Sequence, residues 1–338
     1  MFILIKFRDF FHSHKETLHQ RVITGYNVPT MLNFLILVAI GILFYLLSKS
    51  AALTVDSIKK IGGFFHIPLL SLGFILGFLT SLPELSVAVN ASARDLSDLS
   101  LGNLLGGISV LFGLILGTSI LFSRPIATDG NYKTILPVLG YSFLPFVLGL
   151  NGEISFGEGI FLILIYIILV FFLFNNTKKT GGQEKILNCK PIKQIVLALT
   201  GIFSLILISN LIVRLTETML ESYNIPAFFI GFLLFSLGTN IPEIAIVFHS
   251  IKKRATELST TSIFGSAIAN SLIVGILALI RPIPIEQIGS YVALCASTGI
   301  LLFFIFKFYK TEKKFTKKEG IILLFIYLGI IFIQITTS

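Results

Sequence analysis

The chain has 338 residues, of which 54% are hydrophobic and only 13% are charged, and its mean hydropathy is +0.92. Soluble domains are typically about 25% charged, so this composition excludes an ordinary soluble protein. The net charge of +9 would suggest nucleic-acid binding in a soluble protein, but we expect no nucleic-acid partner, because the basic residues fall in short segments between apolar runs, where they orient membrane helices.

Apolar runs recur along the chain and are about 20 residues long, enough for a helix to cross a hydrocarbon core of about 30 Å. They do not alternate between apolar and polar residues, which excludes a membrane β-barrel. The predicted fold class is therefore an all-α polytopic membrane protein embedded in a lipid bilayer. The sequence predicts ten spans: 31–49, 67–92, 98–122, 134–150, 156–175, 195–216, 226–251, 257–280, 287–308 and 320–336.

The predicted spans divide into two sets of five. Residues 1–30 are mixed and partly amphipathic, lack a signal-peptide cleavage site and are interpreted as an interfacial segment. Residues 31–175 form the first five-helix repeat, a lysine-rich linker covers 176–194, and the second five-helix repeat covers 195–338. Because five is odd, the second half enters the membrane from the opposite face, which makes the repeat inverted, as in many secondary transporters.

Loop charges predict the orientation. Of the 26 Lys and Arg residues, 19 fall on the side of the membrane that holds the linker. The positive-inside rule therefore places the linker in the cytoplasm and both termini outside a cell membrane. The basic N-terminal segment does not fit this assignment, since it lies on the outer side.

Two segments of the chain repeat each other and place a glutamate inside an apolar span. They read Thr-Ser-Leu-Pro-Glu at 80–84 and Thr-Asn-Ile-Pro-Glu at 239–243. Each glutamate is followed, 22 residues later, by a small-residue pair, Gly106-Gly107 or Gly265-Ser266. A carboxylate inside a bilayer is costly, so two at equivalent positions indicate an ion site.

The residues around each glutamate suit a cation that prefers oxygen. The preceding proline removes a helix hydrogen bond and frees a carbonyl about one turn earlier, while neighbouring Thr, Ser and Asn add side-chain oxygens. Two such segments meeting in mid-membrane would form an oxygen cage with two carboxylates, suited to one Ca²⁺ or a pair of monovalent ions. The alternative is a pair of helix kinks with solvated acids. Only two cysteines, Cys189 and Cys295, occur, and the repeated segments hold no histidine near the glutamates, so we expect no zinc site and no resident cofactor.

These segments resemble the two alpha repeats of the cation/Ca²⁺ exchanger superfamily, which includes the sodium/calcium exchangers. The resemblance extends from about residue 31 to residue 336. It implies ten helices in inverted five-helix repeats, in which helices 2, 3, 7 and 8 form the ion site and helices 1 and 6 slide against them. It also implies a secondary-active antiporter rather than an enzyme, which exchanges Ca²⁺ for Na⁺, H⁺ or another cation by alternating access.

The resemblance assigns roles by position. Glu84 and Glu243 would be the central Ca²⁺ carboxylates, and Thr80 and Thr239 would supply backbone carbonyls. The remaining candidate cation ligands are Ser81, Asn240, Ser266 and Asn270, with Gly77 and Ser236 one turn before the motifs.

The first repeat departs from the family pattern on helix 3. Gly107 stands where the family has serine and Leu111 where it has an amide; Asn103, one turn before Gly107, is a further candidate ligand. We therefore expect fewer sodium sites or another driving ion such as H⁺, and expect Gly107→Ser with Leu111→Asn to raise sodium dependence.

Two alternatives stay open: an exchanger of other cations on the same fold, and a degenerate membrane protein that does not transport. The expected partners are inorganic cations and the bilayer. We expect a monomer to suffice, with the oligomeric state open.

Overall fold

The computed structural model describes residues 30–64, 78–122, 126–127, 132–176, 191–223, 225–253, 256–310 and 314–337. Most of the predicted interfacial segment and of the linker lies outside these residues, as do Gly77 and Cys189. The chain divides into two compact units, residues 1–40 and 41–338, and all contacts reported below lie within the second.

The described residues are almost entirely helical. In chain order the helices are α1 (Thr30–Phe64), α2 (Leu82–Ser92), α3 (Ser97–Phe122), α4 (Tyr132–Leu148), α5 (Phe156–Asn176), α6 (Pro191–Tyr223), α7 (Ala227–Thr239), α8 (Ile241–Lys253), α9 (Thr256–Ile280), α10 (Ile288–Lys310) and α11 (Lys317–Thr337). Two of them contain a π-helical turn, Val110–Ile115 in α3 and Gly231–Phe235 in α7.

Seven described helices are long and apolar enough to cross a membrane, and the bent pair α7 and α8 makes an eighth span if it is counted as one. This confirms the polytopic helical fold and is compatible with ten spans. Two helices extend well beyond their predicted ends: α1 continues past residue 49 to Phe64, and α6 covers Pro191–Tyr223 instead of 195–216. In α1, polar residues end the apolar run without ending the helix, and Lys60 pairs with Asp56 one turn earlier at 2.6 Å.

Four two-residue strands were not predicted. They are β1 (Ile126–Ala127), β2 (Glu153–Ile154), β3 (Ile283–Pro284) and β4 (Lys314–Phe315). β1 pairs antiparallel with β4, and β2 pairs antiparallel with β3. Strands this short leave no periodic pattern in a sequence.

The two halves of the chain interlock in equivalent ways. The strand after α3 pairs with the strand before α11, and the strand after α9 pairs with the strand before α5. Glycines bring the matching helices close: a Cβ at Gly117 of α3 would lie 3.1 Å from Gly320 O of α11, and a Cβ at Gly159 of α5 would lie 2.9 Å from Gly275 O of α9. Each half thus supplies a strand and a closely packed helix to the other at equivalent positions, as expected for two repeats.

Candidate cation-binding site

Both repeated motifs lie where a helix is interrupted. In the first copy, helical residues end at Thr80, Ser81 has φ −90° and ψ 15°, and α2 begins at Leu82. In the second copy, α7 ends at Thr239, Asn240 has φ −82° and ψ 10°, and α8 leaves at an angle of 42°. The two breaks therefore have nearly the same backbone conformation.

The prolines of the motifs follow these breaks. Pro83 and Pro242 are the second residues of α2 and α8, in the first turn, where a missing N–H leaves no hydrogen bond unmade. Each helix therefore breaks two residues before its proline, and Asn240 N–H donates to Gly238 O inside the turn. The polypeptide thus presents a helix C-terminus and a new helix N-terminus at each motif.

Glu84 and Glu243 occupy the first turns of α2 and α8, and each is only 1% exposed. The positive end of a helix dipole favours a carboxylate at this position. Ser266 Oγ donates to Glu243 Oε1 at 3.1 Å, and the two carboxylates are close enough for their charges to interact. Oε2 of each glutamate has no hydrogen-bond partner within the described ranges.

Helix α9 contacts both repeated motifs. Ser266, which bonds Glu243, also lies 3.4 Å from Thr80 of the first motif, measured between the hydroxyl oxygens. Asn270 is one turn later on the same face and donates from Nδ2 to Leu104 O of α3 at 3.3 Å. The structure thus brings Ser266 to the first motif and Asn270 to α3 of the first half.

Helix α3 approaches the break in the second motif closely. Thr239 Oγ1 lies within hydrogen-bond distance of two acceptors, Asn103 Oδ1 at 3.1 Å and Phe235 O at 3.0 Å, and its single proton can be donated to one of them at a time. Asn103 therefore lies beside the second motif. This approach depends on Gly102 and Gly231, because a Cβ on Gly102 would meet Phe228 O and would lie 2.9 Å from Phe232 N. No sequence pattern had singled out Gly231.

Two other predicted site residues use part of their side chain to bond the backbone of α7. Asn240 donates from Nδ2 to Ser236 O at 2.7 Å, and Ser236 Oγ donates to Phe232 O. Both residues are fully buried, as is Ser81. The hydroxyl proton of Ser236 is thus used within α7.

Five buried oxygens from the predicted site residues have no hydrogen-bond partner in the part of the chain that the structure describes. They are Ser81 Oγ, Glu84 Oε2, Asn240 Oδ1, Glu243 Oε2 and Asn270 Oδ1. Unmet polar atoms, and charged ones above all, are costly in an apolar interior. The donor set is oxygen only, with two carboxylates, and hard cations such as Ca²⁺ and Na⁺ match it.

A second polar cluster joins α2 to α6. Ser86 and Asn90 of α2 and Arg94, two residues after the end of α2, are spaced four residues apart. Their partners on α6 are Ser209, Asn210 and Glu217. Asn90 donates to Ser209 Oγ at 2.9 Å and accepts from Asn210 Nδ2 at 2.9 Å, so both ends of its amide are bonded. We call this cluster the α2–α6 seam. The spacing of its α2 residues was readable in the sequence, but their partners were not.

The chain is similar to known proteins in its family profile, in pairwise sequence identity and in fold. The sequence profile of a family described as sodium/calcium exchanger protein matches residues 35–175 and 193–336. An uncharacterized membrane protein of Methanocaldococcus jannaschii is 28% identical over 259 residues, which cover 75% of this chain and 82% of that protein. The sodium/calcium exchanger MaX1 of Methanosarcina acetivorans is 31% identical over 118 residues, 33% of each chain. A solved structure of the sodium-calcium exchanger NCX_Mj has a TM-score of 0.61 at 22% identity, and the match covers 87% of this chain and 97% of that one.

Proposed function

Because this chain belongs to the sodium/calcium exchanger protein family, a family of transporters, we propose that it is a secondary-active antiporter that exchanges Ca²⁺ for Na⁺, H⁺ or another cation. The observation that carries the proposal is the pair of buried carboxylates, Glu84 and Glu243. They stand at equivalent positions of a doubled motif, and each has an oxygen without a partner in the described ranges. Ionisable groups inside membrane spans are functional by default.

The proposed ligands come from both motifs and from α9. Glu84 and Glu243 supply the charges, the backbone carbonyls of Thr80 and Thr239 lie at the helix breaks, and Asn270 supplies an amide oxygen. In this scheme Ser81 and Asn240 add oxygens, while Ser266 orients Glu243 and Asn103 orients Thr239.

Charge neutralisation couples the two ions. With both glutamates ionised, an empty site holds two like charges in a medium of low dielectric, which opposes movement of the site between the two sides of the membrane. One Ca²⁺, or two monovalent cations, cancels this charge and permits the transition. Only occupied states then cross, so exchange is obligatory.

Helix α3 lacks two of the oxygen ligands that the exchanger family has at equivalent positions. Gly107 has no side chain, and Leu111 is fully buried and apolar. This arrangement supports H⁺ as a second candidate driver besides Na⁺, since a buried carboxylate pair can hold a proton between cations.

The protein is a multi-pass membrane protein. We propose that it lies in the cell membrane with both termini outside, on the basis of the loop charges alone.

Flux measurements test the proposal. Proteoliposomes that contain the purified protein are loaded with Na⁺ or with acidic buffer. They are then diluted into Na⁺-free buffer or into neutral buffer, which creates an outward gradient of Na⁺ or of H⁺, and Ca²⁺ uptake is followed. We expect uptake with at least one gradient, none without a gradient, and none in Glu243→Gln. Wild-type vesicles that take up neither Ca²⁺ nor any other cation under either gradient would leave the degenerate, non-transporting alternative.

A further inference from the structure

Two carboxamides converge on α3 at Gly107. A Cβ at this position would lie 2.6 Å from Asn270 Nδ2 and 3.3 Å from Asn240 Nδ2. Both distances are shorter than ordinary van der Waals contact, so the amides occupy the space that a side chain on residue 107 would need. The glycine is therefore a point of close approach between α3, α9 and the break after α7.

The side chain of Asn270 uses this space to reach the backbone of α3. Its Nδ2 donates to Leu104 O at 3.3 Å, and Leu104 is three residues before Gly107, one turn earlier. A carbonyl can only accept, so this contact fixes which end of the amide faces α3. Asn270 Oδ1 is left as a buried acceptor with no hydrogen-bond partner among the described residues.

We propose that Gly107 is a positioning residue of the cation site, because its missing side chain lets Asn270 anchor on α3 and direct its amide oxygen to the transported cation. The inference rests on the proposed function and refines it. Helix α3 then contributes a backbone carbonyl that positions a ligand, and α9 contributes the ligand itself.

A side chain at residue 107 and the anchored Asn270 exclude each other. The atom that a new Cβ would meet is the end of a flexible side chain, so the fold can accommodate the substitution by moving Asn270. Gly102 differs, because a Cβ there would meet the backbone of α7. Gly107→Ser is thus expected to displace one ligand. This geometry argues against the sequence-based expectation that Gly107→Ser together with Leu111→Asn would raise sodium dependence.

Cation binding by purified protein in detergent tests this inference. The melting temperature is followed by circular dichroism while Ca²⁺ or Na⁺ is titrated into wild type, Gly107→Ala, Gly107→Ser, Asn270→Ala and the double variant Gly107→Ala/Asn270→Ala. Gly140→Ala is the matched control, because a Cβ there has no atom within 4 Å. The half-saturating concentration reports on ligands, whereas a purely structural effect changes only the melting temperature without cation.

We expect Gly107→Ala, Gly107→Ser and Asn270→Ala each to raise the half-saturating cation concentration by about tenfold or more, as for the loss of one oxygen partner. The double variant should have the same half-saturating concentration as Asn270→Ala, since both changes remove the same ligand and their effects should not add. Gly140→Ala should follow wild type.

Three results would overturn the inference while leaving the proposed function intact: Gly107→Ser that binds Na⁺ more tightly, Gly107 variants that bind like wild type, or additive effects in the double variant. If no cation shifts the melting temperature of wild type, the proposed function fails, and the role of Gly107 fails with it.

Discussion

Replacing Glu243 by glutamine tests whether the candidate site works through its charge. The substitution keeps the size of the side chain and one carbonyl oxygen, so the hydrogen bond that Ser266 donates to Oε1 at 3.1 Å can persist. It removes one of two buried negative charges and replaces the unpartnered Oε2 with an amide group that repels a cation.

The expected effect is large because the carboxylate is buried. Glu243 is 1% exposed, so water cannot compensate for the lost charge. Removing one partner of a buried ion pair costs about 3–5 kcal/mol, which corresponds to a cation affinity weaker by at least about 100-fold. We expect no measurable gradient-driven Ca²⁺ uptake at Ca²⁺ concentrations that saturate wild type. Glu84→Gln should behave in the same way, because Glu84 is equally buried at the equivalent position.

The assay is Ca²⁺ uptake into proteoliposomes, with monodispersity and helicity measured to show that each variant is folded. Glu286→Gln is the matched control, because its side chain is exposed in the turn before α10. Uptake by Glu243→Gln or Glu84→Gln within twofold of wild type would refute the reasoning, since the replaced carboxylate could then not be a required ligand.

Three further predictions concern packing and orientation. Gly102→Ala should lower stability by about 1–3 kcal/mol, because its Cβ would meet the backbone of α7; thermal unfolding measures this. Asn90→Leu should lower stability by about 1 kcal/mol, because it removes the two bonds to Ser209 and Asn210 across the α2–α6 seam; the same measurement applies. Cys189 should react with a membrane-impermeant thiol reagent only from the cytoplasmic side, as the loop charges predict.

The two stability predictions have matched controls, and the labelling prediction has a defined contrary result. Gly140→Ala has open space for its Cβ and should unfold like wild type; equal stability of the Gly102 variant would contradict the close helix crossing. Val89→Leu changes the lipid-facing side of α2, at 39% exposure, and an equal loss there would show that the seam contributes nothing. Labelling of Cys189 from outside would reverse the orientation.

The local features of the site could be predicted from the sequence because their causes are local. A proline inside an apolar run interrupts a helix whatever the tertiary contacts of that helix are. The internal repeat showed that Glu84 and Glu243 occupy equivalent positions. The structure accordingly places Glu84 and Glu243 in the first turns after two matching breaks. The spacing from Glu243 also marked the Gly265-Ser266 pair, whereas the roles of Ser266 and Asn270 came from the resemblance to the exchanger family.

The contacts between helices could not be predicted, since they depend on how the helices are aligned with one another. Sequence reasoning interpreted Gly107 as a lost ligand, whereas the structure has Asn270 in the space beside it, bonded to Leu104 O. The α2–α6 seam was missed for a similar reason: the spacing of Ser86 and Asn90 is a local pattern, but Ser209 is more than a hundred residues away in the chain.

The asymmetry between α3 and α9 bears on how two ions could be exchanged. Helix α9 brings Ser266 and Asn270 to the candidate site, whereas α3 brings Asn103, which accepts from Thr239, and a backbone carbonyl that holds Asn270. If α3 serves as a scaffold, the oxygens available to a cation come mainly from the two motifs and α9. A Ca²⁺ ion wants six to eight oxygens and would need most of them. We therefore expect Ca²⁺ and its counter-ion to compete for one shared set of oxygens, so that binding of one excludes the other and the two must cross in turn.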